Sequence, residues 1–184
     1  MEGGLMYLMT IDPGKSTGIV LGYYDAITPY RLLERWNVLG GLEGFLYWWE
    51  EHIISGETVF DELVVESFCL DPDNEFSADL TPVHIEGALM TIMRDSDIPI
   101  IWQPRTDKAA LKPYPPDCKT TTQRQRFRFD FLDQYGMFAK GEASTDSNDA
   151  VTHSLVHMKK IGHAPSLLAF WKPRRSEATY LKSV

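Results

Sequence analysis

The chain has 184 residues, 43% of them hydrophobic and 12% aromatic, which excludes a disordered polypeptide and fits one domain with a real core. No apolar run approaches a membrane span, and the N-terminus lacks a basic segment followed by a long apolar stretch, so a cytoplasmic protein with no membrane partner is expected. The net charge of −8 speaks against indiscriminate nucleic-acid binding, although acids gathered around bound cations count as negative in that sum.

Tyr7–Asp12 and Ile19–Tyr24 are apolar runs on either side of a Pro13-Gly14 turn, the signature of a hairpin. The first run ends on a carboxylate. Asp12 therefore stands at the lip of a sheet, where it either opens an Asp-Pro-Gly turn or holds a hard cation. Tyr30–Val38 reads as a third antiparallel strand. After Gly40-Gly41, the spacing of Leu42, Phe45, Leu46, Trp49 and Ile53 predicts a helix over 42–54.

Leu63-Val64-Val65-Glu66 is a short buried-strand pattern that also ends on an acid. Thr81-Pro82 supplies a helix N-cap followed by proline, and the helix runs to Arg94 with apolar residues on two sides. Such a helix is either deeply buried or shared with a second subunit. Ile98–Trp102 is the fifth strand. Residues 104–119 are irregular and proline-rich, and Thr120–Gln134 is a basic helix ended by Gly136. A last helix covers Asp146–Lys160, with Lys159 and Lys160 at its negative end. Residues 165–184, with Arg174 and Arg175, read as a surface tail. Cys69 and Cys118 lie far apart and outside any metal spacing, so they read as free thiols.

Four carboxylates carry the chemistry. Asp12 and Glu66 end strands, and Asp146 and Asp149 sit three apart, on one face at a helix start. If the first and fourth strands are neighbours, the last helix can bring its acids against theirs. Four acids that close stay ionised only around cations, and an all-oxygen set selects Mg²⁺ or Mn²⁺. Two such ions form the clamp that hydrolyses phosphodiesters.

The order of elements, with Asp-Pro-Gly…Thr-Gly, apolar-apolar-Glu and Asp-x-x-Asp-Ala, resembles the RNase H fold as used by RuvC-like Holliday-junction resolvases. The resemblance spans Leu5–Lys160. It implies an α/β fold with a five-stranded mixed sheet, three strands antiparallel and then two parallel, flanked by helices. A nuclease domain over 1–164 and a tail over 165–184 follow from it. It further implies a metal-dependent endodeoxyribonuclease that resolves four-way junctions, flaps or forks. Asp12, Glu66, Asp146 and Asp149 would be its catalytic and metal-binding acids, holding two Mg²⁺ or Mn²⁺ ions. The family's active-site lysines correspond loosely to Lys108 and Lys119, and Phe68 is nearest to its junction-inserting aromatic. Two features depart from that family: a turn before Gly18 one residue shorter, and the proline-heavy 104–119 loop.

Arg124 and Arg128 share a helix face with Lys119 just upstream, and Lys112 can extend the stripe. This is either a phosphate-contacting surface or a solvated face. His153 and His157, four apart without an intervening Glu in zinc-protease position, read as a polar helix face, with His153 one turn beyond Asp149. A two-fold symmetric junction suits a homodimer, with the Thr81–Arg94 helix as its interface. Two rivals remain: an ATP-binding domain of the actin-like or sugar-kinase type, which also opens with an Asp-x-Gly hairpin, and a non-catalytic nucleic-acid-binding module on the same fold. The first leaves the Asp146/Asp149 pair without a role.

Overall fold

The structure is a computed structural model that describes residues 4–68, 79–141 and 145–172. Arg174, Arg175 and Cys69 lie outside the described residues. Strands β1 (Met6–Asp12), β2 (Ser16–Tyr24) and β3 (Arg31–Leu39) form the antiparallel meander, and β4 (Glu62–Ser67) and β5 (Ile100–Pro104) extend it in parallel. The sheet order is β3-β2-β1-β4-β5, which puts the first strand at the centre.

Alternation along β1 and β4 sorts side chains to two faces. Met9, Ile11, Leu63 and Val65 face one way, into a core built with Phe45, Trp48, Ile85 and Leu89 of α1 (Gly41–Trp49) and α2 (Thr81–Ile92). Leu8 and Val64 face the other way, into a core with Leu132, Val151 and Leu155 of α3 (Thr121–Gln134) and α4 (Thr145–Lys160). Asp12 and Glu66 have the same parity as Leu8 and Val64. The α4 side of the sheet therefore receives both acids.

Several elements differ from the sequence reading. The predicted 42–54 helix is α1 continued by a wider π-helical turn, Glu50–Ile54. Thr81 is the first residue of α2 rather than its cap. Asp79 accepts from the Thr81 amide at 3.1 Å and from its hydroxyl at 2.7 Å, so the preceding carboxylate does the capping. The 104–119 stretch is not uniformly irregular, because Arg105–Ala110 winds into a 3₁₀ helix. Thr120 caps α3 through a reciprocal box with Gln123. The expected surface tail also begins in structure: helix α5 (Ala164–Phe170) buries Ser166 and Phe170 against the α4-side core.

Helix α4 is buried from Ser147 through Met158. Its closeness to the sheet depends on Gly18, whose missing side chain leaves room for the backbone of Asp146 and Ser147. Among the described residues, no helix is long and apolar enough to cross a membrane.

Candidate active site

The register of the sheet places the two strand acids side by side. Ile11 pairs with Val65, so Asp12 and Glu66 are the next residues on adjacent parallel strands. Glu66 in turn pairs with Gln103 on β5. Three polar side chains thus line up across the carboxyl ends of β1, β4 and β5. Open α/β sheets bind ligands at that end.

Helix α4 closes the site from above. Its first turn is clamped to the edge of the sheet: Asn37 accepts from the Ser147 amide at 3.1 Å and donates to its hydroxyl at 3.2 Å. Arg35 donates to Asn148 Oδ1 at 3.0 Å, and Asn148 also pairs twice with the Ala139 backbone. Asp149 then points inward beside Asp12 and Glu66, while Asp146 lines the same cavity of about 340 Å³.

The centre of the cluster is the ammonium of Lys108, carried by the 3₁₀ helix. Its Nζ lies 2.6 Å from Glu66, 3.0 Å from Asp149 and 3.6 Å from Asp12. The far end of α4 anchors that 3₁₀ helix: Lys160 pairs with Asp107, and Lys159 donates to the Ala110 carbonyl at 2.7 Å. Burial alone would discharge Lys108, but the three carboxylates around it hold it protonated, well above the usual lysine range. Burial pushes Asp12 well above the usual carboxylate range despite Lys108. Burial also works against ionised Glu66, but hydrogen bonds from Asp12 and His153 and the charge on Lys108 hold it well below that range. The two neighbouring acids are thus pushed in opposite directions, Asp12 up and Glu66 down.

Among the described residues, no three His, Cys, Asp or Glu side chains are drawn together as a closed metal cage. Instead, three carboxylates surround one positive charge within 3.6 Å. The donor set is oxygen only: three carboxyl groups met by Lys108 and, at Asp149, by Arg128 as well. This fits a hard divalent cation and does not suit zinc.

The remaining predicted residues separate into two groups. Phe68 lines the cavity, and its amide donates to Glu86. Arg128 is not a free phosphate contact. It is buried, donating to Asp149 at 3.0 Å and to the Tyr114 hydroxyl at 3.1 Å, because its side of α3 faces the core. Arg124 is exposed, stacked over Tyr114, and lines a neighbouring cavity that shares Arg105 and Lys108 with the first. Lys112 is exposed over the ring of Phe127, and Lys119 is exposed and lines neither cavity.

Sequence reasoning missed Gln103, Arg105 and Gln125; it placed His153 one turn beyond Asp149, where it stands, but read both histidines as a polar helix face. His153 and His157 are buried, not a solvated face. His153 bridges Glu66 and Gln103, and His157 lies 3.2 Å from Glu62. Gln103 carried a usable signal: like the two acids, it is a polar residue at the end of an apolar strand.

No protein-family model matches the chain, and a search of curated proteins finds no match. Solved structures do match. The fowlpox virus Holliday junction resolvase aligns over 85% of this chain and 99% of its own, with a TM-score of 0.59 and 12% identity. Thermus thermophilus RuvC, solved in complex with a Holliday junction substrate, aligns over 86% of this chain and 98% of its own, with a TM-score of 0.58 and 14% identity. The fowlpox resolvase bound to Holliday junction DNA gives a TM-score of 0.60 at 12% identity. At such identities the shared property is the fold, and the RNase H-like architecture expected from the sequence is the one observed.

Proposed function

We propose that this chain is a metal-dependent endonuclease of the RuvC type that cuts branched DNA, with the four-way junction as its first candidate substrate. One observation carries the reading: three acids from distant parts of the sequence converge on a single point at the open end of the sheet. The match in fold to junction resolvases supports it.

Asp12, Glu66 and Asp149 would hold Mg²⁺ or Mn²⁺, with Asp146 at the cavity wall. A pair of such ions supplies an activated water and a charge that steadies the leaving oxygen. The chain's own residues do the rest. Lys108 holds the three acids together and, at the cavity wall, would face a bound phosphate. Arg128 fixes one oxygen of Asp149, so that carboxylate cannot rotate away. Arg105 and Arg124 extend positive charge from the cavity along the neighbouring groove, a path for the flanking backbone.

A homodimer belongs to the same proposal. The outer side of α2 is not deeply buried. Val83, Gly87, Ala88 and Ile92 of α2, with Leu42 and Leu46 of α1, line an open apolar groove. A second copy seated there would cut the second strand of a symmetric junction.

The test uses labelled four-way, flap and linear DNA with Mg²⁺, alongside ATP turnover and light scattering. Paired cuts in branched DNA are expected from a dimer. ATP hydrolysis without DNA cutting would replace this reading with the kinase-like one, and full activity from a monomer would remove the dimer.

A further inference from the structure

His153 is buried on α4 with an acceptor at each ring nitrogen. Nε2 lies 3.0 Å from Glu66 Oε2, and Nδ1 lies 2.8 Å from Gln103 Oε1. A neutral imidazole has one N–H and cannot donate to both. The amide of Gln103 offers the way out. Its Nε2 is buried without a hydrogen-bond partner, and turning the amide over exchanges nitrogen and oxygen without changing its shape. Gln103 then donates to Nδ1, and the ring's single proton sits on Nε2, facing Glu66. The buried amide oxygen left behind is a milder loss than an orphaned N–H.

This arrangement acts on one oxygen. Lys108 and His153 both reach Glu66 Oε2, which leaves Oε1 outside these contacts. Among the described residues, Glu66 is met by the imidazole of His153 as well as by Lys108, whereas Asp149 is met by Lys108 and Arg128. A cation that displaces Lys108 would leave His153 as the contact that keeps Glu66 from rotating.

We propose that His153 is a positioning residue for Glu66: held as the Nε2–H tautomer by Gln103, it fixes the carboxylate so that the other oxygen is presented to a divalent cation. The inference rests on the nuclease reading above. Outer-shell hydrogen bonds of this kind are worth about 10–100-fold in metal affinity.

The experiment titrates the full chain with Mn²⁺, reading free ion by electron paramagnetic resonance, for wild type, His153→Leu and His153→Gln. Ring ¹⁵N shifts of wild-type His153 are recorded in parallel. The Nε2–H tautomer is expected, with binding weakened at least about 10-fold in His153→Leu and largely restored in His153→Gln, whose amide can still donate. An Nδ1–H tautomer in the wild type overturns the proposal without any variant having to fold. So does a His153→Leu affinity within about twofold of wild type. Wild-type protein that binds no Mn²⁺ overturns the nuclease reading itself, a result distinct from a wild type that binds while His153→Leu binds equally.

Discussion

Gly18→Ala adds a single methyl at the strand position paired with Asp12 and should open the site. A methyl group on Gly18 would lie 2.1 Å from the carbonyl carbon of Asp146, 2.2 Å from its oxygen and 2.5 Å from the nitrogen of Ser147. All three atoms are backbone, so no side-chain rotation relieves the clash. Restoring ordinary contact requires the first turn of α4 to retreat by roughly 1 Å or more. The Asn37 and Arg35 clamps resist that movement. Overpacking of this kind costs about 1–3 kcal/mol. At about 2–4 °C per kcal/mol for a domain of this size, a 2 kcal/mol loss lowers the Tm by about 4–8 °C. The same displacement carries Asp146 and Asp149 away from Asp12, and a misplacement of about 1 Å can cost on the order of 10²-fold in rate. The assay pairs thermal unfolding with Mg²⁺-dependent cleavage of a labelled four-way junction. Strand propensity alone predicts the opposite sign, because glycine weakens a strand interior. A Gly18→Ala protein with unchanged or raised Tm and wild-type cleavage would refute the close approach of α4.

Lys108→Met strips the counter-charge from three buried acids and should destabilise the metal-free protein by about 3–5 kcal/mol. Mg²⁺ should recover much of that loss, read as a Tm difference with and without the ion; equal losses in both conditions would argue against a cation site. Asp146→Asn should lower cleavage by at least about 10²-fold while gel shifts show junction binding kept or strengthened, since a charge that repels phosphate is gone. Glu62 is held below its usual range, first by the hydrogen bond from His157 and then, against the cost of burial, by that from Tyr24. Its stabilisation is therefore full above the ordinary value of 4.5 and lost as pH falls through the lower folded value. Glu62→Gln should cost about 1–3 kcal/mol at neutral pH, and its melting curve should merge with wild type in acid.

The acids were legible because each breaks a local rule. A carboxylate at the end of Leu-Met-Thr-Ile or Leu-Val-Val has no packing reason to be there, and Asp146 and Asp149 share a face by helical spacing alone. Lys108 was named only through a family likeness, as a loose match to an active-site lysine. Its place among the acids is set by the 3₁₀ helix over 105–110, which has no apolar period and is held by Lys159 and Lys160 from the far end of α4. Arg128 and His153 were misread for a related reason. Charge on a helix suggests water, and only tertiary contacts reveal that α3 and α4 turn those residues toward buried carboxylates. The capping of α2 shifted by two residues because Asp79 takes both the amide and the hydroxyl of Thr81, which draws Thr81 into the helix.

Strand β1 is made first, yet it sits in the middle of the sheet and depends on a helix made some hundred and thirty residues later. A nascent chain that has not yet delivered α4 can build the hairpin but has nothing to set against Asp12. Competence therefore arrives late and all at once, with closure of the longest loop in the fold. Such distant pairings slow folding. They also mean that a translation product ending before α4 holds Asp12 and Glu66 without Asp149 to set beside them.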